Sequence, residues 1–162
     1  MNADPVVMEH YPATMTPDES DAFVDRVATT WVRHGYGLWA LQSRDSGDFI
    51  GYAGLWPVPH TIPIRDRPDP CVEVGWRLAA SRWGQGLATE AGREAARYAR
   101  TVLALTELVS FTAVGNGRSR AVMSRVGLSH DPVRQQLRRA LECQLRQFDI
   151  DFRFADDPAR RS

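Results

Sequence analysis

Residues 71–91 read Cys71-Val72-Glu73-Val74-Gly75-Trp76-Arg77-Leu78, then Ala79-Ala80, then Ser81-Arg82-Trp83-Gly84-Gln85-Gly86-Leu87-Ala88-Thr89-Glu90-Ala91. Over 71–78, Val72, Val74, Trp76 and Leu78 alternate with Glu73 and Arg77, the period of a half-buried strand. After Trp83 a pair of glycines leads into Leu87 to Leu103, rich in alanine and arginine, with Ala91, Ala95, Tyr98 and Val102 on one side; this predicts a helix. A strand that passes through glycines into a helix gathers several backbone N–H groups where the helix dipole also favours an anion. Such a turn is either a diphosphate cradle or a plain turn. Its spacing matches neither GxGxxG nor GxxxxGK[ST], so neither a dinucleotide fold nor a P-loop follows.

Working outward, Glu107 to Val114 predicts a further strand. Strand, crossover helix, strand makes 71–78 and 107–114 parallel neighbours if they share a sheet. Gly115-Asn116-Gly117 then opens a helix from about Arg118 to Val126, which breaks at Gly127. On the other side, Gly37 to Arg44 and Asp48 to Trp56 predict a hairpin joined by Asp45-Ser46-Gly47. Pro57 to Pro70 holds five prolines and no periodicity, a loop long enough to border a site. Before the hairpin, Thr16 caps a helix with Pro17 in its first turn and Glu19 completing a capping box; Phe23, Val27 and Trp31 form its apolar stripe and Gly35 ends it. Beyond Asp131, Val133, Leu137, Leu141 and Leu145 step by four through an Arg-rich run, Phe148 to Phe154 alternates like a strand, and 155–162 is a polar, frayed tail. The fold class is α/β (α+β), one domain over 1–154 built on a mixed sheet, antiparallel at first and parallel later, flanked by helices. Trp39, Trp56 and Trp76 read as core, while Trp56 and Tyr52 also border the proline-rich loop.

Composition narrows the function. The chain has 162 residues, 43% hydrophobic and 25% charged, with 20 basic and 20 acidic side chains and no net charge. Nothing in that balance draws it to nucleic acid or to a membrane surface, and Arg134, Arg138, Arg139 and Arg146 read as a solvated helix face. All 20 basic residues are arginine, so no lysine reaches a nucleotide phosphate, forms a Schiff base or serves as a base. Cys71 and Cys143 belong to no metal or disulfide pattern, and no metal is expected. No stretch is apolar for the ~18 residues of a spanning helix, and Met1 to His10 lacks a leader, so the expected location is cytoplasmic.

Phe49-Ile50-Gly51, Val72-Glu73-Val74-Gly75-Trp76, Trp83 to Ala91, and Asn116-Gly117-Arg118-Ser119 followed by Gly127-Leu128 occur in a characteristic order and spacing. On these motifs the chain from about Gly35 to Asp131 resembles the GNAT N-acetyltransferase superfamily, in the branch of the ribosomal-protein alanine N-acetyltransferases. The resemblance implies a strongly twisted mixed sheet and acetyl transfer from acetyl-CoA to an amine acceptor, a protein N-terminus or a small molecule, by direct attack. The alternative is a CoA-binding, catalytically degenerate protein of the same fold.

The resemblance also implies site residues. The pyrophosphate loop maps onto Trp83, Gly84, Gln85, Gly86, Leu87, Ala88 and Thr89, with Trp83 in place of the family's usual polar first residue. The strand ending at Leu78 presents backbone groups to the pantetheine arm and an N–H to the thioester oxygen. Asn116 matches the asparagine that contacts CoA, or is a turn residue between glycines, and Ser119 is a plausible neighbour. Glu73 is the candidate general base, or else pairs with Arg77 as a structural ion pair; His60 is a second candidate base. The family's general-acid tyrosine falls on Met123, which leaves Ser124 or water to protonate the leaving thiolate, unless the CoA thiolate, a moderately good leaving group, needs no acid. Only about ten residues precede Tyr11, so the family's first strand is absent or supplied otherwise, leaving an edge that invites a homodimer.

Overall fold

A computed structural model describes residues 1–62, 64 and 69–130, and the backbone of 152–154. Helix α1, Pro17–His34, begins with both halves of the capping box: Glu19 N–H donates to Thr16 Oγ1, and Thr16 N–H donates to a Glu19 carboxylate oxygen at 2.8 Å. It ends on Gly35 in the left-handed conformation, φ 72°. Strands β1, Leu38–Gln42, and β2, Phe49–Pro57, form the expected antiparallel hairpin around Asp45-Ser46-Gly47, closed by Ser43 N–H to Asp48 O. β2 pairs along its length with β3, Val72–Leu78, with Trp56 opposite Glu73 and Tyr52 opposite Arg77.

This register assigns the faces. Val72, Val74 and Leu55 lie on one face, packed with Ala95, Ala96 and Ala99 of helix α2, Leu87–Thr101, and with Met123 and Val126 of helix α3, Gly117–Val126. Alanine on α2 lets that helix approach closely, and a side chain at Gly92 would meet Val126 and the Trp76 ring. The opposite face carries Tyr52, Trp56, Glu73 and Arg77. It is covered by α1, whose Phe23 ring lies 5.3 Å from Tyr52 and 6.2 Å from Trp56, and by the N-terminal residues.

Two expectations need correction. Residues 107–114 are not a strand: the parallel pairing with β3 exists, but only as an isolated bridge between Glu73 and Val109. Val109 N–H donates to Val72 O at 3.0 Å, Val74 N–H donates to Val109 O at 2.8 Å, and the pairing stops. Helix α3 begins at Gly117, capped by Asn116, rather than at Arg118. Residues 1–13 turn repeatedly and form no strand, in keeping with the expected absence of the family's first strand, and they are held in place, with Val7 and Met8 buried. Strand β4, Leu128–His130, pairs antiparallel with β5, Phe152–Phe154, the end of the predicted 148–154 strand. The predicted helix through Val133 to Arg146 and the 155–162 tail lie outside the described residues.

Candidate active site

Where β3 and residues 110–112 diverge a cleft opens. It holds about 1810 Å³ and is lined on one side by Gly75, Trp76, Arg77 and Leu78, and on the other by Ser110, Phe111 and Thr112. Its far end is formed by the turn before α2 and the start of α3. That volume exceeds the ~300–1,000 Å³ typical of a site for one compact ligand, and suits an extended ligand together with a second reactant.

The alternation of an antiparallel pair fixes which backbone groups face the cleft. Val72 O and Val74 N–H are spent on Val109, so the same edge of the strand turns Trp76 N–H toward the opening. The base of the cleft is the turn from Leu78 to Thr89. A short 3-10 turn, Ala80–Arg82, leads to Trp83, whose indole N–H donates to Leu78 O at 3.0 Å. Arg118, at the start of α3, stacks on the Trp83 ring at 4.5 Å. Trp83 therefore ties strand end, turn and α3 together, which explains how an apolar residue serves at that place.

Gly84 and Gly86 both adopt left-handed φ, 76° and 80°, and a Cβ on either would meet no atom within 4 Å. The turn thus needs glycine for its backbone angle, not for lack of room. The first bonds of α2 run from Thr89 and Glu90 N–H back to Gly86 O. Among the described residues, the N–H groups of Gly84, Gln85, Gly86, Leu87 and Ala88 have no protein acceptor. Five successive donors at a helix N-terminus, beside Arg82 and Arg118 in the cleft wall, are a fitting cradle for a diphosphate.

The other candidate residues sort clearly. Gln85 turns away: its side-chain amide donates to Ser81 O at 3.2 Å, and it does not line the cleft. Asn116 and Ser119 do line it, but Asn116 has φ −80°, not the positive φ of a glycine-flanked turn, and its Oδ1 accepts from Ser119 N–H at 3.0 Å. That bond makes Asn116 the cap that holds the α3 N-terminus at the cleft. Ser124 is exposed on α3 and absent from the lining, and His60 is exposed and absent as well. Met123 is 1% exposed in the core, so no donor reaches the cleft from that position. Glu73 lines the cleft at the one rung where β3 and 109 are joined, and the alternative of a Glu73–Arg77 ion pair is not met. The two share a face at a spacing of four residues, about 13 Å along a strand.

Sequence reasoning missed the wall opposite α2. Val6, Val7, His10 and Tyr11 line the cleft together with Phe23, Tyr52 and Trp56. Burial holds the Tyr52 phenol well above its usual range despite the nearby Arg77 charge, so it stays a neutral hydrogen-bonding group. The residues 1–13 carry no periodicity, and only their aromatic and apolar content hinted at packing. Among the described residues no cluster of His, Cys, Asp or Glu is arranged to hold a metal ion, and no helix is long and apolar enough to cross a membrane.

Comparison with known proteins gives concordant results. A family model described as an acetyltransferase (GNAT) domain matches residues 1–129. The FsC-acetyl coenzyme A-N(2)-transacetylase of Aspergillus fumigatus is 40% identical over 96 residues, which cover 59% of this chain and 40% of the fungal protein. The chain therefore spans less than half the length of that curated relative. Among solved structures, an acetyltransferase from Agrobacterium tumefaciens superposes with a TM-score of 0.73 at 23% identity, covering 95% of this chain and 80% of that one. A ribosomal-protein-alanine N-acetyltransferase from Brucella melitensis gives 0.62 at 17% identity, covering 94% and 88%. These two likenesses concern the fold.

Proposed function

This chain belongs to the GNAT acetyltransferase family, and from that premise we propose that it transfers the acetyl group of acetyl-CoA to a primary amine, on a protein N-terminus or a small molecule, by direct attack. The observation that carries the reading is the run of five unsatisfied N–H groups from Gly84 to Ala88 at the base of a cleft made by two diverging chain segments. The fungal relative, named for transfer from acetyl coenzyme A to a nitrogen, supports the same donor and the same class of acceptor.

In this reading acetyl-CoA supplies an activated acyl thioester. The turn from Trp83 to Thr89 and the capped start of α3 at Asn116 and Ser119 hold the diphosphate. Trp76 N–H donates to the carbonyl oxygen as negative charge develops there, a contribution of a few kcal/mol in comparable sites. Glu73, on the face that carries Tyr52 and Trp56, takes the proton of the attacking amine, directly or through water. The thiolate leaves without a protein acid, since Met123 offers no proton and Ser124 is outside the cleft. The outer edge of β1 is the face on which a second copy of the chain would pair, which size-exclusion chromatography tests.

Calorimetric titration with acetyl-CoA, with CoA and ATP as controls, is the first test. Binding of both CoA forms without ATP, followed by acetylation in an amine screen, is the expected result. Failure to bind either CoA form would overturn the reading of the cradle. Binding with no acetylation of any amine would favour a catalytically degenerate CoA-binding protein.

A further inference from the structure

We propose that Arg77 reads the acceptor, holding an anionic group, in its simplest form a carboxylate, carried by the amine that is acetylated. This rests on the reading of the cleft as an acetyl-transfer site. Arg77 is 8% exposed and permanently charged. A buried guanidinium ordinarily needs a carboxylate or a full set of acceptors, because desolvating an uncompensated charge is unfavourable by several kcal/mol. Here the partners are neutral. One terminal nitrogen donates to Asn2 Oδ1 at 3.1 Å, the Tyr11 ring lies 4.0 Å from the guanidinium carbon, and the Tyr52 ring lies 5.4 Å away. The Nε–H, buried, has no acceptor, and among the described residues no carboxylate stands within 4 Å of this side chain.

The place of this charge gives it a purpose. Arg77 lines the cleft on the same face of β3 as Glu73, the face closed by Phe23, Trp56 and the N-terminal residues and turned away from the α2 core. A ligand anion is the missing element of the arrangement: two aromatic rings and a side-chain amide orient the guanidinium of a residue that lines the cleft, and none of them neutralises its charge. Glu73 and Arg77 are about 13 Å apart at their Cα atoms. With both side chains reaching inward, the spacing favours an amine and an anion separated by several bonds over a single α-carbon.

The test uses paired probes: glycine, γ-aminobutyrate and ε-aminocaproate, each beside its uncharged primary amide, with the wild-type protein, Arg77→Met and Arg77→Lys. The expected result is a kcat/KM for the two longer acids roughly 10- to 100-fold above their amides, carried mainly by KM, the range commanded by a charge-assisted hydrogen bond. Arg77→Met brings that ratio close to one with acetyl-CoA affinity unchanged, and Arg77→Lys restores part of it. A merely structural Arg77 would lower both members of each pair alike and leave the ratio where it was. Equal turnover of acid and amide by the wild-type protein, or a preference that survives Arg77→Met, overturns the proposal. Should Arg77→Met not fold, inhibition of the wild-type protein by butyrate but not butanamide supports the proposal, and equal inhibition overturns it. If no amine is acetylated, the proposed activity itself fails. Titration of butyrate into CoA-saturated protein then decides the anion site separately: binding lost in Arg77→Met and partly kept in Arg77→Lys supports it, and no binding to the wild type overturns it.

Discussion

Replacing Ala88 by proline removes one donor from the cradle and no hydrogen bond from the protein. Ala88 is the second residue of α2, and its N–H has no acceptor among the described residues. Proline is well accommodated in a first helical turn: its fixed φ suits the helix, and the residue four positions back, Gly84, lies outside the helix, so the ring meets no helical carbonyl. The substitution should therefore destabilise the fold by less than about 1.5 kcal/mol, against ~3 kcal/mol for proline in a helix interior. The effect on binding is larger. A hydrogen bond to a charged phosphate oxygen contributes about 1.5–3 kcal/mol, which corresponds to a CoA dissociation constant roughly 10- to 100-fold weaker. Calorimetry measures it, with two controls. Ala88→Val keeps the N–H and adds bulk, and should bind CoA far more tightly than the proline variant. Pantetheine, which lacks the diphosphate, should bind wild type and Ala88→Pro alike. A CoA affinity for Ala88→Pro within threefold of wild type, or a valine variant as weak as the proline one, would refute the assignment of these N–H groups to the phosphates.

Glu73→Gln should lower kcat by about 10²- to 10⁴-fold, the usual range for a lost general base, and leave CoA affinity unchanged; steady-state rates and calorimetry together check this, and undiminished turnover removes Glu73 as the base. Gly54→Ala should unfold the protein at markedly lower urea: Gly54 sits at φ 151°, and a Cβ there would stand 2.4 Å from Gly37 O and 2.9 Å from Leu38 Cα, both backbone atoms at the start of the neighbouring strand that cannot step aside. Thr16→Ala should destabilise by about 1 kcal/mol through loss of the α1 cap, measured by urea denaturation. The same box gives a pH dependence. Glu19 is held below the usual carboxylate range, first by the Thr16 backbone N–H and then by its side chain. Its contribution is present above the ordinary glutamate pKa and lost as pH falls through the lowered one. The stability gap between wild type and Glu19→Gln should accordingly shrink below about pH 4.

Elements whose signal is local were legible in the sequence. The box from Thr16 to Glu19, the Phe23–Trp31 stripe, the turn at Asp45-Ser46-Gly47 and the alternation from Val72 to Leu78 each depend on residues within a few positions of one another, and each forms as expected. Gly84 and Gly86 were legible as a tight turn into α2, because no other residue so readily takes their φ. What failed was non-local. The burial of 107–114 is real, since Leu108 and Val109 are fully buried, but burial does not by itself supply a strand partner beyond Val109. Asn116 was ambiguous between ligand contact and turn because capping and turn formation draw on the same side chain. An ion pair of Arg77 with Glu73 was the alternative left open from proximity in sequence, but a strand sets positions four apart about 13 Å from one another. The real neighbours of Arg77, Asn2 and Tyr11, come from a segment with no periodic signal at all.

The isolated bridge at Val109 is what turns this sheet into a site. Continued parallel pairing would carry the next rung to Trp76, whose N–H would then be spent on a neighbouring carbonyl, and the cleft would close. Residues 110–112 are drawn off instead. Phe111 packs against the Val58, Cys71 and Val109 cluster, and Ser110 and Thr112 are buried although polar, which commits the segment to a course away from β3. Glu73 stands at the last closed rung, with Val109 bonded to the residues on either side of it, so its backbone is held from both flanks. Trp76 stands further along, on the open edge. In the proposed mechanism, one placement fixes the group that would take the proton, and the other frees the group that would meet the developing charge. Both follow from where a single pair of backbone hydrogen bonds ends.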